Sequence, residues 1–182
     1  MTEANTLTSS SGVSPAPDEH GATWFAVITR PQNEKSTARN LALRGIESFL
    51  PTYESVRQWN NRRRVRLSLP LFSCYLFVRS ERPNLVRVLS TPGVLHMVSD
   101  GRGPVLVPET MIDVMRSACQ KGSLLPYHGF PTGARARIKG GDMKGLEGIV
   151  VRQNSNFHFV LTIESINLSV AVEIDPENLE QI

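Results

Sequence analysis

Cysteine is almost missing from the chain. Cys74 and Cys119 share no CxxC spacing and have no neighbouring histidine pair, which excludes a disulfide framework and a zinc site. A reducing, cytoplasmic setting is the expectation. Histidine is as sparse: His20, His96, His128 and His158 show no HExxH or clustered spacing, so no metal is expected. There is no GxSxG, no paired-carboxylate motif and no Rossmann glycine pattern, and nothing asks for a catalytic residue or a cofactor. Long apolar runs are lacking too. The longest, Leu67 to Val78, is too short and too interrupted by proline to cross about 30 Å of hydrocarbon, so no membrane role is expected. The first 21 residues, MTEANTLTSSSGVSPAPDEHG, have neither the basic start nor the apolar block of a secretory signal, and read as a disordered tail.

What is present is enough for a core: 182 residues with 40% apolar content allow one ordinary domain or two small ones. Net charge is only +3, but it is unevenly spread. Residues 1–21 hold three acids and no base, residues 22–122 hold fifteen Lys/Arg against seven Asp/Glu, and residues 123–182 hold five against seven. A basic first part of this kind points to an anionic partner, most often nucleic acid, and a second part with a different partner.

TWFAVITR reads as a strand that stops at Pro31, and NEKSTARNLALRG as an amphipathic helix with Asn33 at its N-cap, Ala38, Leu41 and Ala42 on one face, and Gly45 at its end. RQWNNRRRVRLSLPLFSCYLFVRS reads as a long hairpin with its tip near Asn60 and Asn61. The strand after that tip is apolar on both faces and is expected to be central. A short helix after Pro83, a turn at Pro92 and Gly93, and a helix over ETMIDVMRSAC with Met111, Ile112, Met115 and Ala118 on one face complete the first part. Its alternation of strands and helices predicts a ferredoxin-like α/β sandwich with a mainly antiparallel sheet.

KGSLLPYHGFPTG is rich in glycine and proline, and helical periodicity ends before it. After it come strands alone: FHFVLTI and INLSVAVEI alternate strictly, and with ARARIK and GIVV they suggest a small closed barrel. The expected organisation is α+β: a tail over 1–21, a first domain over 22–119, a linker over 120–131 and a small, SH3-like β-barrel over 132–182.

In GARARIKGGDMKGLEGIVV, Ala134, Ala136 and Ile138 alternate with Arg135, Arg137 and Lys139, and a glycine-bearing loop leads to Gly145 and Gly148. This is the pattern of a KOW motif, a small barrel used to bind RNA or protein. A phosphate loop is excluded because Lys144 is followed by Gly145 and no helix comes next.

Read in order, WFAVITRPQNE, LPLFSCYLFV, TPGVLHMVS, PVLVPETMID and the KOW segment through VAVEIDPENLEQI resemble the NusG family of transcription elongation factors. The resemblance covers residues 23–182 and is greatest to the specialised, RfaH-like paralogues. It implies a monomer whose first domain binds the clamp helices of RNA polymerase beside upstream or non-template DNA. It further implies that the KOW domain recruits a second protein, a termination factor or a ribosomal protein. The family's polymerase-binding strand, commonly Phe-Pro-Gly-Tyr, matches Phe72, Ser73, Cys74 and Tyr75, with Phe77 two places on. Ser73 and Cys74 replace Pro-Gly, which leaves the local bend open. Tyr75 and Phe77 share a strand face and are expected to be partly exposed for a partner, whereas Phe72 lies on the other face unless a bulge re-aims it.

Arg62, Arg63, Arg64 and Arg66 follow the hairpin tip, and their guanidinium groups suit phosphate. Trp59 beside them can stack on a base or pack under the hairpin. The reading this supports is a non-enzymatic elongation factor, and specifically an antiterminator. The competing reading is an RNA-binding KOW protein of ribosome assembly.

Overall fold

A computed structural model of the chain describes residues 21–58, 64–126, 133–141, 143–153, 156–163, 166 and 168–182. The first part comprises β1 (Thr23–Thr29), α1 (Glu34–Leu43), β2 (Ser48–Phe49), β3 (Thr52–Gln58), β4 (Arg64–Pro70), β5 (Tyr75–Ser80), α2 (Leu85–Leu89), β6 (Val94–Met97), β7 (Leu106–Val107) and α3 (Glu109–Lys121). After it come β8 (Leu124–Pro126), β9 (Ala134–Ile138), β10 (Glu147–Gln153), β11 (Asn156–Ile163), β12 (Leu168–Glu173) and β13 (Leu179–Gln181).

The aromatic and β-branched run TWFAVIT forms β1, as expected of side chains that suit a strand buried on both faces. It pairs antiparallel with β5, β6 and β7, and β2 lies beyond β5, making a five-stranded sheet. Alternation along β1 then decides the layering. Trp24 and Ala26 join Phe77 of β5 and Ile112, Met115 and Ala118 of α3 in one core. Phe25 and Val27 join Leu76 and Val78 with Leu41 of α1 and Val88 of α2 in another. The sheet is a middle layer between two helical layers, and each large side chain buried there contributes about 1.5–3 kcal/mol.

Two local expectations are corrected. Asn33 precedes α1 but makes no side-chain cap; its amide donates instead to the Pro31 carbonyl at 3.4 Å. Ala42 is exposed, and Thr37 takes the buried place beside Leu41. The apolar run 64–80 is not one central strand. It breaks at Leu71–Cys74, after which only β5 is central, while β4 pairs with β3 alone in a separate two-stranded ribbon. Gln58 stands opposite Arg64 in that ribbon; the tip expected near Asn60 and Asn61 lies outside the described residues.

The C-terminal strands form a six-stranded antiparallel sheet in the order β13-β9-β10-β11-β12-β8. Alternation predicts four of these, and β8 and β13 add the two ends. β8 arises within the segment expected to be linker. Lys121 still belongs to α3, and Leu124–Pro126 pair with Val170–Val172 of β12. Leu124 is buried there, an apolar gain that a solvated linker would forgo. Phe159, Leu161, Val170 and Val172 line the inner face of the sheet, and their cluster is continuous with the one beneath α3. Among the described residues, no helix is long and apolar enough to cross a membrane.

Candidate functional site

The segment Phe72–Tyr75 links β4 to β5 as a four-residue turn, closed by the Tyr75 N–H donating to the Phe72 carbonyl at 3.3 Å. Cys74, the third residue, has φ +67°. A positive φ there is the geometry of a type II turn, whose usual residues are proline second and glycine third. The bend left open by Ser73 and Cys74 is therefore present, and Cys74 adopts the conformation a glycine would.

The turn re-aims Phe72. Its ring meets Phe77 edge-on, with centroids 6.3 Å apart and planes at 86°, and Phe77 also stacks on Phe49 at 6.4 Å. Phe72 is therefore buried in the same cluster as Phe77, not on an opposite face. The expectation that Phe77 is partly exposed is corrected, because it is 0% exposed. β5 is an inner strand, and α3 closes over the face that Phe77 occupies. Tyr75 remains half-buried and keeps some surface.

A polar network that spacing and periodicity do not reveal fastens α3 to this face. The Arg116 guanidinium lies 5.0 Å from the Trp24 ring centre and 5.5 Å from that of Phe49, and pairs with Glu47 at 2.9 Å. Arg79 reaches Glu47 at 3.5 Å and Glu109 at 3.6 Å. Glu109 and Arg116 are seven residues apart, about two helical turns, so their common face is open to inference from sequence; their partners are not. Arg79 and Arg116, both among the fifteen basic residues of the first part, are thus engaged internally.

Arg64 and Arg66 lie two apart on β4, hence on one face of the ribbon. Both are exposed, with Gln58 and the exposed Val56 opposite them. Neither makes an ion pair among the described residues. Arg62, Arg63 and Trp59 fall outside the described residues. Lys35 of α1 donates to the Ser68 carbonyl, tying the ribbon to the helical layer.

In the C-terminal sheet Arg135 and Arg137 of β9 both turn to Glu147 of β10, at 3.4 and 2.6 Å. The hydrogen bond from Arg137 holds the exposed Glu147 carboxyl below the ordinary carboxylate range. A depressed folded-state value means that this contribution to stability is present above the unfolded value and fades as pH falls through the folded one. Arg137→Ala is expected to return the Glu147 titration toward its ordinary position in an NMR pH series; an unmoved titration would contradict the pairing. Lys139 is exposed. Gly145 has φ +87°, and a Cβ on Gly148 would come within 2.6 Å of the Val160 carbonyl oxygen and 2.7 Å of the Phe159 ring. Both glycines of the motif therefore answer a backbone requirement.

Burial pushes the Cys119 thiol up from its ordinary value, which disfavours the reactive thiolate. Among the described residues no group of His, Cys, Asp and Glu is placed to hold a metal ion.

Residues 22–116 match the profile of a family described as "Transcription termination factor nusG". No curated protein matches the sequence. Among solved structures, the chain is similar to one described as "Domain interaction in Thermotoga maritima NusG", with a TM-score of 0.54 and 20% identity over 88% of this chain and 97% of that one. A weaker likeness, with a TM-score of 0.29 and 16% identity, joins 87% of this chain to 96% of one in "Crystal Structure of MjSpt4:Spt5 complex conformation B". The first likeness concerns the fold alone, and the second carries no argument.

Proposed function

The chain belongs to the NusG family of transcription factors, and on that premise we propose that it is an elongation factor that docks on RNA polymerase and alters pausing or termination. The observation that carries this is the family match over residues 22–116, which spans the five-stranded sheet and most of α3. In this reading the first part is the family's ferredoxin-like domain and the six-stranded sheet its KOW barrel. The specialisation is RfaH-like antitermination, and the setting is the cytoplasm.

Docking is assigned to the turn before β5. Tyr75 makes the contact with the clamp helices, and the buried Phe72 and Phe77 hold its strand from beneath. Half-buried aromatic side chains suit such a role because they bury much area at little entropic cost. The KOW sheet offers a second surface to a termination factor or a ribosomal protein. The work is bridging, and no covalent step is involved.

Core RNA polymerase is expected to be retained by the intact protein in a pull-down, and retention should fall for Tyr75→Ala while that variant stays folded at the assay temperature. No retention by the intact chain would sink the proposal. Strong binding to free RNA without polymerase would favour the ribosome-assembly reading instead.

Upstream or non-template DNA is assigned to the ribbon. Each arginine that neutralises a phosphate adds about 0.9 to the slope of log affinity against log salt. The double variant Arg64→Ala, Arg66→Ala should lower that slope by about 1.8 in DNA-binding titrations between about 50 and 200 mM salt. A slope equal to that of the unaltered chain would remove these two residues from the interface.

A further inference from the structure

We infer that Glu34 is the positioning residue that lets a cysteine occupy the glycine place in the Phe72–Tyr75 turn. Glu34 opens α1, yet its side chain is not spread in water at the helix terminus: the residue is only 5% exposed. One carboxylate oxygen accepts a hydrogen bond from the Cys74 N–H at 2.8 Å, across a gap of forty residues in the chain. On the other side of the same residue, the Thr29 N–H donates to the Cys74 carbonyl at 2.8 Å. Cys74 is thus held at both its backbone groups, by α1 and by β1.

The identity of the held group matters. Type I and type II turns differ by a flip of the peptide between their second and third residues, here the one joining Ser73 to Cys74. That flip decides which way the Cys74 N–H points, and it is this N–H that Glu34 accepts. A carboxylate acceptor makes a bond roughly twice as strong as a neutral one. It opposes the cost of a left-handed conformation in a residue with a Cβ, which glycine does not bear. The left-handed Cys74 then sets the start of β5, and with it the aim of Tyr75 and the edge-on contact of Phe72 with Phe77.

The functional half of this inference rests on the polymerase-docking reading of Tyr75, whereas the structural half does not. Two measurements on the full chain separate them. Amide hydrogen exchange at Cys74 should quicken roughly ten- to a hundredfold in Glu34→Ala, the scale of one lost charged hydrogen bond, and by less than that in Glu34→Gln, which keeps an acceptor oxygen. Polymerase retention should fall in Glu34→Ala, hold in Glu34→Gln, and recover in the double variant Glu34→Ala, Cys74→Gly, because glycine enters the left-handed conformation unaided. Unchanged Cys74 exchange in Glu34→Ala would overturn the inference, as would a double variant that regains none of the lost retention. Should Glu34→Ala alone fail to fold, a folded double variant supports the inference and an unfolded one overturns it. If the unaltered chain retains no polymerase, the docking reading fails, and exchange at Cys74 still decides the role of Glu34 in the turn.

Discussion

Replacing Phe77 with alanine is expected to lower the unfolding free energy by about 3–5 kcal/mol. Phe77 is fully buried, stacked on Phe49 and met edge-on by Phe72. Its loss leaves a cavity between the sheet and α3 that neighbours fixed by the Arg116 and Arg79 ion pairs cannot readily fill. In a chain of this size each kcal/mol moves the melting point by about 2–4 °C, so the drop should be obvious in both thermal and urea melts. Tyr75→Ala gives the contrast, because it removes a ring that already meets solvent. A Phe77→Ala variant as stable as the parent would mean that the face beneath α3 is not a core. The comparison also governs how lost polymerase retention is interpreted: for Phe77 it accompanies a loosened fold, and for Tyr75 it tests the proposed contact.

Gly148→Ala is expected to cost about 2–3 kcal/mol, at the upper part of the range for overpacking a filled site. The added methyl meets a backbone carbonyl of β11 and the ring of Phe159. The ring is itself fully buried, so neither neighbour has free space to move into. The damage should register first in the C-terminal sheet, as faster amide exchange along β10 and β11. A variant with unaltered exchange there would contradict the close approach.

The same two positions show what a sequence can reveal. Gly148 is identifiable because a glycine directly before a β-branched run in a small sheet marks a bend or a close approach of two strands. Strict alternation from Phe157 to Ile174 likewise predicts strands, and the stripe on α3 predicts its buried side, because period and face are local properties. Phe77 escapes such reasoning for a complementary reason. An aromatic on a strand apolar on both sides looks alike whether a partner or the chain's own helix covers it, and that helix begins more than thirty residues later. The break at Leu71–Cys74 is hidden because Cys74 does not advertise a left-handed conformation as glycine does. The carboxylate that holds it lies far back in the chain. The strand β8 is concealed by its glycine- and proline-rich surroundings, its only signal being the pair Leu124 and Leu125.

Among the described residues, the ribbon of β3 and β4 hydrogen-bonds to no third strand. Isolated hairpins are marginal in water, and this one is fastened chiefly at its base, where Tyr53 packs against the core. Exposure rises toward Gln58 and Arg64, about 17 Å farther out at about 3.3 Å per residue. Opening of the outer end therefore costs far less than opening of the sheet. If the ribbon meets DNA as proposed, an arm of this length carrying Arg64 and Arg66 enlarges the radius within which a passing duplex is first touched. Its effect falls on the rate of capture more than on the lifetime of the complex.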